Sequence, residues 1–273
     1  MQNKYELEIN DQSNMPFFYL PLWEEAGLCG HGFSCRYAKS ESGKGAPLDF
    51  GFKAGEEPVK VMSNRAAFLS RWGLGLEDFF YGEQVHESEV ALVGQEELRS
   101  GLRAFQGVDA LVTAEKGAVL GAFSADCLLV FFLAPDIPAA GIAHAGWRGT
   151  CKGIVQHVVE IMIKKYGANP HSIQALFSPS IASCCYEVGE EVVDSCSRSL
   201  WSKEMVMHLG IRPGHPYFDL QASNRNILQQ AGLKAEHIFM NNYCTKCHDS
   251  LFYSYRGAGG KIAGSHMGII YLK

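Results

Sequence analysis

Four apolar runs lie between Val108 and Ala145: Val108–Thr113, Ala118–Phe123, Leu128–Ala134 and Ala139–Ala145. Only Lys116-Gly117, Ala125-Asp126 and the Pro135 to Pro138 break separate them. Each has the length of a strand and is bounded by turn formers. None alternates polar with apolar, so each needs cover on both faces, and helices or other layers are expected to sandwich the sheet they form. The longest stretch, Ala118 to Pro135, is interrupted by Ser124 and Asp126 and falls short of the roughly 20 apolar residues of a membrane helix, so no membrane span is expected.

Helical spacing appears on both sides of these runs. Ile154, Val155, Val158, Val159, Met162 and Tyr166 predict an amphipathic helix from Thr150 to Tyr166, stopped by Gly167. Val188, Val192, Val193, Cys196 and Leu200 predict a second. A third runs from Asp219 to Gly232 through Leu220, Ile227, Leu228 and Ala231, and a fourth covers Asn64 to Trp72. Further strands are expected at Ile173 to Phe177, His237 to Asn241 and Gly268 to Leu272, which makes the class mixed α/β. No linker or repeat interrupts residues 1–273, so a single domain is expected.

The 24 Lys plus Arg against 29 Asp plus Glu give a net charge of -5 without any basic block, so nucleic acid is not an expected partner. Met1 to Asn14 is polar and acidic, unlike a signal peptide, and a cytoplasmic protein is expected. Nine cysteines, an odd number, would then be thiols, some of them ligands or nucleophiles.

Three turns carry the chemistry. Gln84-Val-His86 follows an aromatic run, Ser124-Ala-Asp-Cys127 interrupts the most apolar stretch, and His144-Ala-Gly-Trp-Arg-Gly149 leads from a strand into a helix. Burying an acid beside a thiol is unfavourable unless both are paired or metal-bound. Imidazole and thiolate are zinc ligands, and three protein ligands with an open position define catalytic zinc sites. His86, Cys127 and His144 therefore form a candidate catalytic metal site. Arg148 beside a helix start is a candidate anion contact. Cys244-Thr-Lys-Cys247-His248 matches half a zinc site, but no second pair stands at ribbon spacing, so a structural or local substrate-contact role is expected. Cys184-Cys185 is expected to pack beside a turn, and His266 to face solvent.

The chain closely resembles the laccase-domain family of multicopper-oxidase-like proteins, also described as bacterial polyphenol oxidases and cytoplasmic peptidoglycan editing factors, with purine nucleoside enzymes as mammalian relatives. The matching segments are His31-Gly-Phe-Ser-Cys-Arg36, Gln84-Val-His86, Asp109-Ala-Leu-Val-Thr113, Ala125-Asp-Cys127, His144 to Gly149, Cys184-Cys-Tyr-Glu-Val188, and Cys244-Thr245 followed by Phe252-Tyr-Ser-Tyr-Arg256. The resemblance implies a single-domain α-β-β-α sandwich and zinc on His86, Cys127 and His144, with copper as an alternative. It further implies phosphorolysis of adenosine, inosine, guanosine and methylthioadenosine, together with adenosine deamination, and places Arg36 and Arg148 at arginine positions near the site. Cys35, where the family usually has Thr, Ser178-Pro-Ser-Ile-Ala-Ser183 and Gly259-Gly-Lys-Ile-Ala263 depart from the family pattern, none at a proposed ligand.

On this expectation the partners are purine nucleosides and phosphate, and the protein is a monomer. A lowered water pKa at the open metal position would serve deamination, and phosphate held by Arg36 and Arg148 would serve phosphorolysis. Asp126 is a candidate for orienting a ligand or moving a proton. Two rivals use the same residues: a copper polyphenol oxidase, and a hydrolase of peptidoglycan precursors with Cys127 as nucleophile and His86 or His144 as base.

Overall fold

A computed structural model of the chain describes residues 5–12, 14–40 and 43–273, so part of the Met1 to Asn14 segment lies outside the described residues. The four apolar runs become the strands Ala110–Thr113, Val119–Ser124, Leu128–Ala134 and Ala139–Ala145. They do not share one sheet. Val119–Ser124 lies in a seven-stranded sheet, between His266–Leu272 (antiparallel) and Phe79–Glu83 (parallel). The other three belong to a six-stranded sheet, in which Leu128–Ala134 and Ala139–Ala145 form a hairpin flanked by Gln174–Phe177 and Ala110–Thr113. Continuous apolarity reports burial of both faces but not the identity of the cover. Here one face of each sheet is covered by the other sheet and the other face by helices.

The period of two assigns each side chain to a layer. Leu129, Phe131 and Leu133 join Leu120, Ala122, Phe33 and Ile270 in the core between the sheets. Leu128, Val130, Phe132 and Ala134 point the other way, onto Ile154, Val155, Val158, Val159 and Met162 of the helix Ile154–Tyr166 and onto Ile227 and Leu228 of the helix Leu220–Gln230. The outer face of the seven-stranded sheet offers Phe17, Phe79, Val119 and Ile269 to Phe68 and Leu69 of the helix Pro58–Leu69. The layer order is thus the expected α-β-β-α sandwich. Seven α-helices occur among the described residues, and none is long and apolar enough to cross a membrane.

Several boundaries shift for local reasons. The helix expected from Thr150 is two helices, Trp147–Cys151 and Ile154–Tyr166, because Gly153 adopts φ 73°, where Trp201 fills the space a side chain would need. Gly167 ends the second at φ 75°, as expected. The helix Glu190–Ser197 stops short of Leu200, which is exposed. Asp219 caps the helix Leu220–Gln230 by accepting from the Ala222 N–H at 2.9 Å. The helix Pro58–Leu69 begins six residues before the expected Asn64, with Pro at its start. His266 is not solvent-facing. It opens the last strand opposite Ser124, fully buried, donating from Nδ1 to the Ser34 carbonyl and accepting the Tyr253 N–H at Nε2.

Candidate metal centre

All three ligand candidates gather where the chain steps between sheets. Val119–Ser124 ends in one sheet, Leu128–Ala134 begins in the other, and Cys127 sits on the short crossing. His86 follows Phe79–Glu83 of the first sheet. His144 lies opposite Leu129 in the second, on the same strand face as Ala140 and Ile142, so it extends the inter-sheet core to its rim. The ligand atoms of His86, Cys127 and His144 all lie within 4.8 Å of one another, and the two imidazole rings are 4.8 Å apart, centre to centre.

Asp109 organises this arrangement. Its carboxylate, 2% exposed, accepts the backbone N–H groups of Val85, His86 and Glu87 at 3.1, 3.0 and 2.9 Å, and lies 2.8 Å from His144 Nδ1. Burial would raise its pKa, but the hydrogen bond from His144 and those from the backbone hold the carboxyl below its usual value. Because the carboxylate can only accept, His144 Nδ1 carries the proton and Nε2 is the free donor atom, the second partner that metal-bound histidines commonly have. The same three N–H bonds hold His86 at φ 63°. His86 and Asp126 (φ 90°) are the two non-glycine residues with positive φ among the described residues, and both flank the site.

Burial pushes the Cys127 thiol up, but the His144 charge outweighs it, with His86 adding to the effect, and the thiol is held down to about 6. Burial likewise disfavours the His144 cation, while Cys127 and Asp109 raise it to about 9. Without a metal these shifts describe a thiolate–imidazolium pair; a metal at the site would displace the His144 Nε2 proton, giving one thiolate and two imidazoles, a combination suited to zinc or copper. Gly146 lets its backbone lie close to two of the donors: a Cβ there would stand 3.0 Å from Cys127 Sγ and 3.3 Å from His86 Nδ1. These residues fit a three-ligand metal site.

Asp126 does something other than orient a histidine. Its carboxylate accepts from the Thr245 hydroxyl at 2.5 Å and from the Arg256 N–H at 2.7 Å, and its carbonyl accepts from the Ile181 N–H at 2.8 Å. The residue ties the Cys127 crossing to two distant loops, while Asp109 holds the ligand. Arg148 lies over the Trp147 ring at 4.1 Å and pairs with Glu191 at 2.8 Å, both partners exposed. Arg36 donates from Nη1 to the Asp249 carbonyl at 3.0 Å and packs on Tyr253, while its buried Nε has no hydrogen-bond partner. The Arg256 guanidinium packs on Tyr186 and donates to the Glu187 carbonyl, while its backbone N–H reaches the residue before Cys127.

A second group was not expected from spacing: Cys184, Cys185, Cys244 and Cys247 also lie with their sulfurs within 4.8 Å of one another. The partner of Cys244-x-x-Cys247 is the vicinal pair, not a second knuckle, and the two cysteine pairs together were the available signal.

The fold and the three-ligand site define a class. Residues 30–273 match the family described as multi-copper polyphenol oxidoreductase laccase, and the chain belongs to that family. Among its relatives, purine nucleoside phosphorylase YlmD of Geobacillus stearothermophilus is 33% identical over 82% of this chain and 84% of its own length. Adenosine deaminase RL5, from an unknown prokaryotic organism, is 32% identical over 75% and 79%. The crystal structure of Bacillus licheniformis hypothetical protein YfiH shares the fold with a TM-score of 0.85 at 28% identity, covering 97% of this chain and 99% of that one.

Proposed function

We propose that this chain is a zinc-dependent purine nucleoside phosphorylase acting on adenosine, inosine, guanosine and methylthioadenosine, with adenosine deaminase activity, and that it works as a single-domain cytoplasmic monomer. The observation that carries the reading is the convergence of His86, Cys127 and His144 on one point, backed by Asp109, in a chain whose relatives bear those two activity names. Bound at these residues, zinc supplies Lewis-acid polarisation and a lowered water pKa. Asp109 fixes the His144 tautomer, and Gly146 keeps a side chain from crowding Cys127 Sγ and His86 Nδ1. For phosphate we assign Arg148, whose guanidinium is exposed and can exchange Glu191 for an anion, and Arg36, whose Nε is an unspent donor.

The deciding experiment is product analysis. Inosine should yield hypoxanthine and ribose 1-phosphate in phosphate buffer and react only slowly without phosphate. Equal hypoxanthine release in both buffers, with free ribose, would refute phosphorolysis. One observation favours a second reading: a Cys127 thiol held to about 6 beside a raised His144 also describes a nucleophile and its base, as a hydrolase of peptidoglycan precursors would need. That reading requires turnover to survive removal of metal by chelators. A copper polyphenol oxidase would instead be isolated with copper and lose phenol oxidation with it.

A further inference from the structure

The four-cysteine group joins segments about sixty residues apart. Cys247 Sγ lies 3.7 Å from Cys184 Sγ and 3.4 Å from Cys185 Sγ. Sulfurs around one tetrahedral zinc, each bonded at about 2.3 Å, stand roughly 3.8 Å from one another. An iron–sulfur cluster would need its cysteines spread around a larger inorganic core. Cys244 Sγ accepts the Ala182 N–H at 3.5 Å, and the N–H groups of Lys246 and Cys247 also donate to it. Three backbone donors converging on one sulfur suit a thiolate rather than a packed neutral thiol. Packing alone would bury the group, yet Cys184 and Cys247 are exposed.

We propose that Cys184, Cys185, Cys244 and Cys247 bind a second zinc ion as a closed tetrathiolate that clamps two loops onto the residue preceding Cys127. Each neutral thiol releases its proton to solvent as its sulfur bonds the ion, and no electron moves. Four protein ligands leave no open position, so this site is structural. Its leverage is local. Thr245, between the two knuckle cysteines, donates its N–H to the Ser180 carbonyl and its hydroxyl to Asp126, and Ile181, three residues before Cys184, donates to the Asp126 carbonyl. Both cysteine-bearing segments thus grip the crossing that carries the catalytic-site thiol.

The test is a metal count on the full-length protein, purified reduced and without chelator. About two zinc ions per chain are expected, falling to about one in the Cys184→Ser/Cys247→Ser double variant and, by loss of the other ion, to about one in Cys127→Ala. Cobalt replacement separates the two: the intense thiolate-to-cobalt absorption should persist in Cys127→Ala and largely vanish in the double variant. If the double variant does not fold, zinc X-ray absorption on the wild type still decides, because a tetrathiolate gives mostly sulfur neighbours averaged over the two ions. One zinc per chain in the wild type with mainly nitrogen neighbours would overturn the proposal. An unreduced chain whose intact mass shows a disulfide among these four residues would do the same.

Discussion

The two cysteine-bearing groups are built on opposite plans. At His86, Cys127 and His144 the donors come from both sheets, one buried carboxylate braces them, and a glycine keeps side-chain bulk away from two of them. At Cys184, Cys185, Cys244 and Cys247 the donors come from two loops, the brace is backbone N–H groups, and four sulfurs enclose the centre. A carboxylate behind an imidazole tunes a ligand while leaving room for a reactant. Amides pointing at a sulfur stabilise charge and leave none. The first plan suits chemistry, and the second suits holding chain segments together.

The sharpest way to break this contrast is at the sulfur. Cys127→Ala should abolish turnover and the metal of the open site while circular dichroism stays native, since Cys127 lies on a crossing rather than inside a strand; retained zinc with lost turnover would instead favour a nucleophilic thiol. Next comes the brace. Asp109→Asn should weaken metal binding or activity about 10- to 100-fold, the usual effect of losing a histidine's outer partner, and competition with a chelating dye measures it. An unchanged affinity would show that Asp109 only shapes the backbone of residues 85–87.

Gly146→Ala probes the room around the donors. The residue has φ -67°, which alanine adopts freely, so the methyl acts by bulk alone against Cys127 Sγ and His86 Nδ1. Turnover should fall by up to about 100-fold, as for displacements near 1 Å, with little change in melting temperature. Full activity would mean that Cys127 and His86 tolerate the added bulk without losing their arrangement.

Thr245→Val tests the link between the two plans. It leaves a buried Asp126 oxygen without its donor, and a hydrogen bond to a charged group contributes about 1.5–3 kcal/mol. Urea unfolding should register that loss with both metals still present.

The effect furthest from the two groups, and negligible near neutral pH, is a background that any acid titration of the two sites must subtract. Burial lowers His31 and His266 to about 3 from an unfolded value near 6.5. Between those values the unfolded chain binds more protons, so stability is complete above pH 6.5 and falls as the pH drops towards 3. The slope should approach about 1.4 kcal/mol per pH unit for each histidine. Chemical denaturation of metal-stripped protein should show it, and a flat profile would mean that these imidazoles are solvated.

What could be read in the sequence follows from which physics is local. His86, Cys127 and His144 stood out because polar residues at the ends of apolar runs are costly without a purpose. Asp109 did not, since an acid just before a strand looks like an ordinary turn residue, and its four bonds reach residues 22 to 35 positions away. His266 misled for the complementary reason: glycine and serine before it suggest a loop, while its burial depends on pairing with Ser124 and on a bond to Ser34, 232 residues earlier. The helix Ile154–Tyr166 was legible because its apolar face repeats within its own length. The division of the four apolar runs between two sheets was not, because both arrangements bury the same atoms.

The crossing at Cys127 has a mechanical consequence. One imidazole trails a strand of the first layer, the other stands on a strand of the second, and the sulfur sits on the step between them. An ion held there acts as a rivet through the seam of the sandwich, and its three arms gauge how the layers are registered. Any slide of one layer over the other would alter the arms together, so substitutions deep in the inter-sheet core, such as at Leu129 or Ile270, should change the grip on a metal at the rim.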